Sequence, residues 1–201
     1  MITKEYNGHY IPAIVRRKEK IERSGMIAVG FSSPFRMDGN RYRIPTFVYE
    51  KDIEKIVTPY EVIQKDYQTR TPCLMALKEI LLFTAPKKEI KVGVFGSAAL
   101  EIITNLPYTD SRSDLDLTMK VTDLNLVKEF FLVIKKTETK FGCRVDLEVD
   151  VMGIGFKAVE LLKETKQLLG KGIESVQLYN RENVIEWATA IKNESIKKGA
   201  I

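Results

Sequence analysis

One histidine, one tryptophan and two cysteines in 201 residues leave several chemistries with little to work with. His9 is the sole imidazole, so a histidine-based zinc centre or a Ser-His-Asp triad would have to rest on that one residue near the start of the chain. Cys73 and Cys143 stand far apart in sequence and lack a CxxC partner. They fall in stretches that read as a helix and the start of a strand, so small buried thiols are expected rather than a disulfide framework. No apolar run approaches the roughly 20 residues a helix needs to cross a bilayer, and Met1-Ile-Thr-Lys-Glu5 carries no apolar signal core. A cytoplasmic location without membrane association is the expectation. Long blocks of like charge, low-complexity segments and internal repeats are missing too.

What is present is a globular composition, 44% hydrophobic with a formal net charge of +5. That charge suits an anionic partner such as polyphosphate or an acidic protein, with nucleic acid the less favoured option. Residues 1–57 read as a small β-rich domain. A short apolar run at Ile11–Val15 precedes Arg16, Arg17 and a charged stretch to Arg23, and strands are expected at Met26–Phe31 and Tyr42–Tyr49 with the turn Met37-Asp-Gly-Asn40 between them.

Residues 58–201 form the second expected domain. Thr58-Pro59 and Thr71-Pro72 are helix-start signatures, the first helix running from Tyr60 to about Asp66 and the second burying Leu74, Ala76, Leu77 and Ile80. Alternation then predicts strands at Ile90–Phe95, Leu115–Val121 and Val145–Val151, separated by helices at Ser97–Thr104 and Leu124–Phe141. Helices at Ala158–Leu162 and Arg181–Lys197, with a short strand at Ser175–Tyr179, complete an α+β fold of α/β-like character. Phe130, Phe131 and Trp187 read as core, and Lys135-Lys136 and Lys197-Lys198 as solvated helix faces.

The chemistry concentrates in Val92-Gly-Val-Phe-Gly-Ser97 and, one helix later, Ser113-Asp-Leu-Asp-Leu117. Strand alternation points Asp114 and Asp116 to one side and Leu115 and Leu117 to the other, and two aligned carboxylates repel unless a cation lies between them. Arg144-Val-Asp-Leu-Glu-Val-Asp150 repeats the pattern, so either Asp146 or Glu148 supplies a third carboxylate if its strand neighbours the first. Three carboxylates on adjacent strands suit a two-metal phosphoryl-transfer site. Gly96 lets a phosphate approach the backbone, and Ser97 offers a hydroxyl and a helix-start amide. Such a site works by positioning and charge neutralisation and needs no histidine.

The ordered set Gly-Ser, helix, Asp-x-Asp, acidic strand resembles the DNA polymerase β-type nucleotidyltransferase superfamily. Phe95-Gly-Ser97, Leu106-Pro-Tyr108 and Ser113-Asp-Leu-Asp-Leu117 together resemble one branch, the phosphoribosyl-dephospho-CoA transferase family, the holo-acyl-carrier-protein synthase of malonate decarboxylase. Ile14-Val-Arg-Arg17, Gly39-Asn-Arg-Tyr-Arg43, Val57-Thr-Pro-Tyr60, Arg144-Val-Asp-Leu-Glu148 and Leu168-Leu-Gly-Lys171 are similar to its flanking motifs. The resemblance implies a nucleotidyltransferase sheet with flanking helices. It also implies Mg²⁺-dependent transfer of phosphoribosyl-dephospho-CoA from a triphosphoribosyl-dephospho-CoA donor to a serine of an acyl carrier protein, with pyrophosphate released. By this resemblance Asp114, Asp116 and Asp146 are catalytic, and with Glu148 they form the metal set; Gly96, Ser97, Lys171, Arg16, Arg17, Arg41 and Arg43 face donor phosphates. An ATP-using nucleotidyltransferase acting on a small molecule or protein is the enzyme alternative, and a non-catalytic nucleic-acid-binding relative the other.

Overall fold

A small antiparallel sheet, order β1-β2-β3, is built from β1 (Ile14–Val15), β2 (Met26–Met37) and β3 (Asn40–Tyr49). The computed structural model describes residues 10–17, 24–37, 39–120 and 123–198, with side chains in the last helix to residue 190. His9, the charged stretch 18–23, Asp38 of the expected turn, Val121 and the Lys197-Lys198 side chains lie outside the described residues. Strand β2 is longer than expected because a register shift between Ser32 and Arg36 carries pairing past Phe31 to Met37 opposite Asn40. Directly opposed residues of antiparallel strands share a face. Ile14, Gly30 and Pro45 therefore lie together, with Ser32 and Arg43 next along the same face.

The larger sheet has the order β4-β5-β6-β7-β8-β9. Its strands are β4 (Lys91–Phe95), β5 (Leu115–Lys120), β6 (Val145–Val151), β7 (Ile154–Lys157), β8 (Gln167–Lys171) and β9 (Val176–Asn180). Only β5 and β6 pair in parallel, a geometry that needs a crossover between them. The amphipathic helix running Leu124–Phe141 supplies it, capped by the Asp123 carboxylate at its start (2.8 Å from the Asn125 amide) and ended by Gly142. Strands β7 and β8 were not legible as separate strands: β7 is four residues including a glycine, reached through a tight turn at Met152 and Gly153.

The helices in chain order are α1 (Pro59–Val62), α2 (Pro72–Thr84), α3 (Gly96–Thr104), α4 (Leu124–Phe141), α5 (Ala158–Leu161) and α6 (Arg181–Lys198). Helix α1 stops short of the expected Asp66 because Gln64 and Lys65 donate to carbonyls three residues back, winding the chain into a turn. Helix α2 buries Leu74, Ala76, Leu77 and Ile80 against α4 and the sheet, as its spacing predicts. Phe130 is fully buried, whereas Phe131 and Trp187 pack only partly buried against the core. Cys73 and Cys143, distant in sequence, are buried, free and neighbours; the contact with the Cys143 thiol, with help from the Thr71 hydroxyl, holds the Cys73 thiol below its ordinary range.

One polar knot fixes the loop that leads into β5. Glu101, buried on α3, takes a bidentate contact from Arg70 (2.9–3.1 Å) and bonds from the Thr109 amide and hydroxyl. Arg70 also donates to the Thr109 carbonyl at 2.7 Å. Truncation in Arg70→Ala strands the buried carboxylate and is expected to lower stability by on the order of 2 kcal/mol, read from urea unfolding. An unchanged midpoint would show the pair to be dispensable.

Candidate active site

Three backbones converge at one end of the larger sheet. Phe95 at the end of β4 pairs with Asp116 on β5, and Asp116 pairs in turn with Asp146 on β6. Leu115, Leu117 and Met119 are fully buried beneath β5, so the alternation leaves Asp116 half-buried on the opposite face. Asp114 sits just ahead of β5, and Arg144 lies 3.7 Å from both Asp114 and Asp146. The Asp146–Asp116 pairing makes Asp146 the third carboxylate at this end; Glu148 pairs with Thr118, one step further along.

Gly96 follows Phe95 at the turn into α3 with φ +67°, a conformation that suits glycine. A Cβ there would overlap the Asp116 carboxylate Oδ2 and lie 3.2 Å from its Cγ. The Gly-Ser turn and the Asp-x-Asp strand therefore interlock.

Charge is crowded here. Burial, then the neighbouring Asp146 and Asp114 carboxylates, push the Asp116 carboxyl above its ordinary range. Lys157, reaching over from β7, ion-pairs with Asp146 and stands 3.9 Å from Glu148, while Lys171 on β8 bonds Glu148 at 2.6 Å. Glu148 and Lys171 are thus placed with each other rather than with the Gly-Ser turn. Asp150, further along β6, accepts from the Tyr60 hydroxyl (3.1 Å) and the Gly153 amide (2.8 Å). Among the described residues no three acidic side chains already stand at mutual ligand distance. The hard oxygen donors of Asp114, Asp116 and Asp146 and their mutual repulsion nonetheless fit a divalent cation, with Arg144 and Lys157 supplying the counter-charge without one.

A cleft of about 970 Å³ opens between this wall and the face of the small sheet. Gly96, Ser97, Asp114 and Asp116 line one side, and Arg16, Arg36, Arg41, Arg43 and Arg112 also reach it. Arg17 does not; its Nε donates to the Gly172 carbonyl at 3.1 Å, tying the small sheet to the end of β8. Arg36 and Arg112 escaped notice in the sequence because an arginine's partner is visible only in three dimensions. Lys157 escaped it because β7 did.

Tyr108, fully buried, is the pillar between the two sheets. Its hydroxyl donates to the Ser32 carbonyl (2.8 Å), Arg41 donates to its carbonyl, and the Arg41 guanidinium lies 5.4 Å from its ring centre. Arg41 also donates to the carbonyls of Ser33 and Pro34. It is committed to joining the sheets. Arg41→Ala is therefore expected to speed limited proteolysis within residues 10–57 several-fold; a cleavage pattern identical to the parent would refute the joining role.

Against the sequences of known proteins, the family described as "Phosphoribosyl-dephospho-CoA transferase MdcG C-terminal domain" matches residues 61–182. The chain belongs to this transferase family. The matched span takes in the whole larger sheet together with Asp114, Asp116, Asp146, Glu148 and Asp150. Three proteins named phosphoribosyl-dephospho-CoA transferase are similar to it. The one from Xanthomonas euvesicatoria is 24% identical over 69% of this chain and 64% of its own length. That from Bradyrhizobium diazoefficiens is 28% identical over 89% of this chain and 77% of its length, and that from Klebsiella pneumoniae 24% over 79% and 75%. The chain thus spans a little under two thirds of the Xanthomonas relative and about three quarters of the other two. No solved structure matches it. No helix among the described residues of this transferase-family chain is long and apolar enough to cross a membrane.

Proposed function

We propose that the chain transfers phosphoribosyl-dephospho-CoA from a triphosphoribosyl-dephospho-CoA donor to a serine hydroxyl of an acyl carrier protein, that of malonate decarboxylase, by nucleotidyltransferase chemistry. The observation that carries this reading is the interlock of Gly96 with Asp116, with Asp146 alongside, at the wall of an arginine-lined cleft in a chain of this family.

In the reaction the serine oxygen bonds to the phosphorus nearest the ribose while the bond from that phosphorus to the departing diphosphate breaks. Asp114, Asp116 and Asp146 would hold Mg²⁺, which when bound neutralises the triphosphate and the developing charge on the leaving diphosphate. Gly96 leaves a bare backbone against which a phosphate can lie, and Ser97 presents its hydroxyl at the first turn of α3, where the helix dipole favours an anion. Asp146, on the side of the carboxylate row away from β4, is the group assigned to take the serine proton, a carboxylate having a second oxygen for this when one is given to a metal. Lys157 and Arg144 orient the carboxylates by pairing with them. The setting for this chemistry is the cytoplasm.

The test is a label-transfer assay with Mg²⁺, comparing the labelled triphosphoribosyl donor with labelled ATP and offering carrier protein as acceptor. Label reaching the carrier serine from the triphosphoribosyl donor supports the reading. Label passing only from ATP would replace it with the ATP-using alternative.

A further inference from the structure

The five cleft arginines do not stand alike. Arg36 is held by Asp110 (3.0 Å) and donates to the Gly39 carbonyl, and Arg41 is spent on three carbonyls. The Arg43 side chain, by contrast, makes no hydrogen bond or ion pair among the described residues and is exposed at the cleft on the small sheet; the Arg112 side chain, two residues before Asp114, is likewise unpaired among the described residues but follows the loop that leads into the carboxylate strand. It shares the cleft-facing side of the small sheet with Gly30, across which the side chain of Arg16 leans; a Cβ on Gly30 would press the Arg16 Cδ at 3.2 Å. The same face carries Ile14, 44% exposed, and Pro45. This wall is cationic and apolar, and the opposite wall is acidic.

We propose that Arg43 and Arg16 form an anion subsite on the small sheet, separate from the carboxylate wall, that takes the diphosphate of the donor's dephospho-CoA portion while Ile14 and Pro45 receive the less polar arm beyond it. The proposal rests on the transfer reaction proposed above. The donor carries two phosphate chains, a triphosphate on the ribose and a diphosphate within dephospho-CoA. Only one can occupy the Gly96-Ser97 turn, and Asp114, Asp116 and Asp146 repel a second anion not shielded by metal. The arginine wall across the cleft is where the second chain is attracted, in a planar, bidentate geometry that guanidinium offers to phosphate. At about 970 Å³ the cleft is at the upper end for small-ligand sites, with room for both chains. The small sheet then sets donor selectivity, since ATP has one chain and dephospho-CoA donors have two.

The experiment is calorimetric titration of the full chain with dephospho-CoA, which has the diphosphate arm and no triphosphate, in parallel with ATP and Mg²⁺. Arg16→Ala/Arg43→Ala is expected to weaken dephospho-CoA at least tenfold and ATP by less than threefold, and Arg16→Ala/Arg43→Lys to recover part of the loss. Arg43→Met alone, with its melting temperature measured, serves if the double variant does not fold. Equal dephospho-CoA binding by parent and variants, no binding by the parent, or an equal loss of ATP would each overturn the subsite. Transfer of label from the triphosphoribosyl donor by the unaltered chain is scored separately, so a failed subsite is distinguishable from a failed reaction assignment.

Discussion

Asp116→Asn is expected to leave a folded protein whose transfer rate falls by about a thousandfold or more, the scale of losing a group that stabilises transition-state charge. Asp116 is the middle member of the row Phe95, Asp116, Asp146, and no nearby carboxylate can take its place without breaking strand register. The same substitution has an opposite effect on stability. Burial first, and the Asp146 and Asp114 charges next, raise this carboxyl above its ordinary 3.8, so the folded chain holds the proton more tightly than the unfolded chain does. The ionised carboxylate therefore costs nothing below about pH 3.8, and its cost grows as pH rises through the raised folded value. In EDTA the asparagine variant should melt above the parent at neutral pH, with the gap closing in acid. A variant with normal turnover, or one that melts lower at pH 7, would sink the assignment.

Gly96→Ala carries the second large effect, and on both properties at once. The methyl group would have to occupy the Asp116 carboxylate position, from a backbone at φ +67° that alanine adopts at a cost. Backbone strain of this kind is worth about 1–3 kcal/mol. Pushing Asp116 aside misplaces the carboxylate row, for which a loss of about a hundredfold in rate is expected. Ser97→Ala, which leaves the backbone and Asp116 where they are, should lower the rate far less. Steady-state transfer rates on the two variants, with urea unfolding of each, make the comparison; equal loss in both would mean that the Gly-Ser turn acts through its hydroxyl and not through its shape.

Much of the larger sheet could be read in the chain because its strands are one-sided. Leu115, Leu117 and Met119 alternate with Asp116 and Thr118, and Val145, Leu147 and Val149 with Asp146 and Glu148, so period two survives in the residue order. The choice between Asp146 and Glu148 could not be read, since alternation puts both on one face and only the parallel register with β5 separates them. Likewise Arg16, Arg17, Arg41 and Arg43 are similar letters in the sequence. Their different standing follows from the Tyr108 pillar, the Gly172 carbonyl and the curvature of a bulged strand, all contacts between distant segments. Lys171 beside Glu148 belongs to the same class, as does the reach of Lys157 from a strand too short to announce itself.

The parallel pairing of β5 and β6 has a bearing on how the chain acquires its structure. The small sheet's β2–β3 pairing is between sequence neighbours and closes a short loop, whereas Asp116 meets Asp146 only after the whole α4 crossover has packed down. The carboxylate row is consequently expected to be among the last features to form when the protein refolds from denaturant, with helix content and hairpin pairing returning ahead of it and turnover lagging behind both.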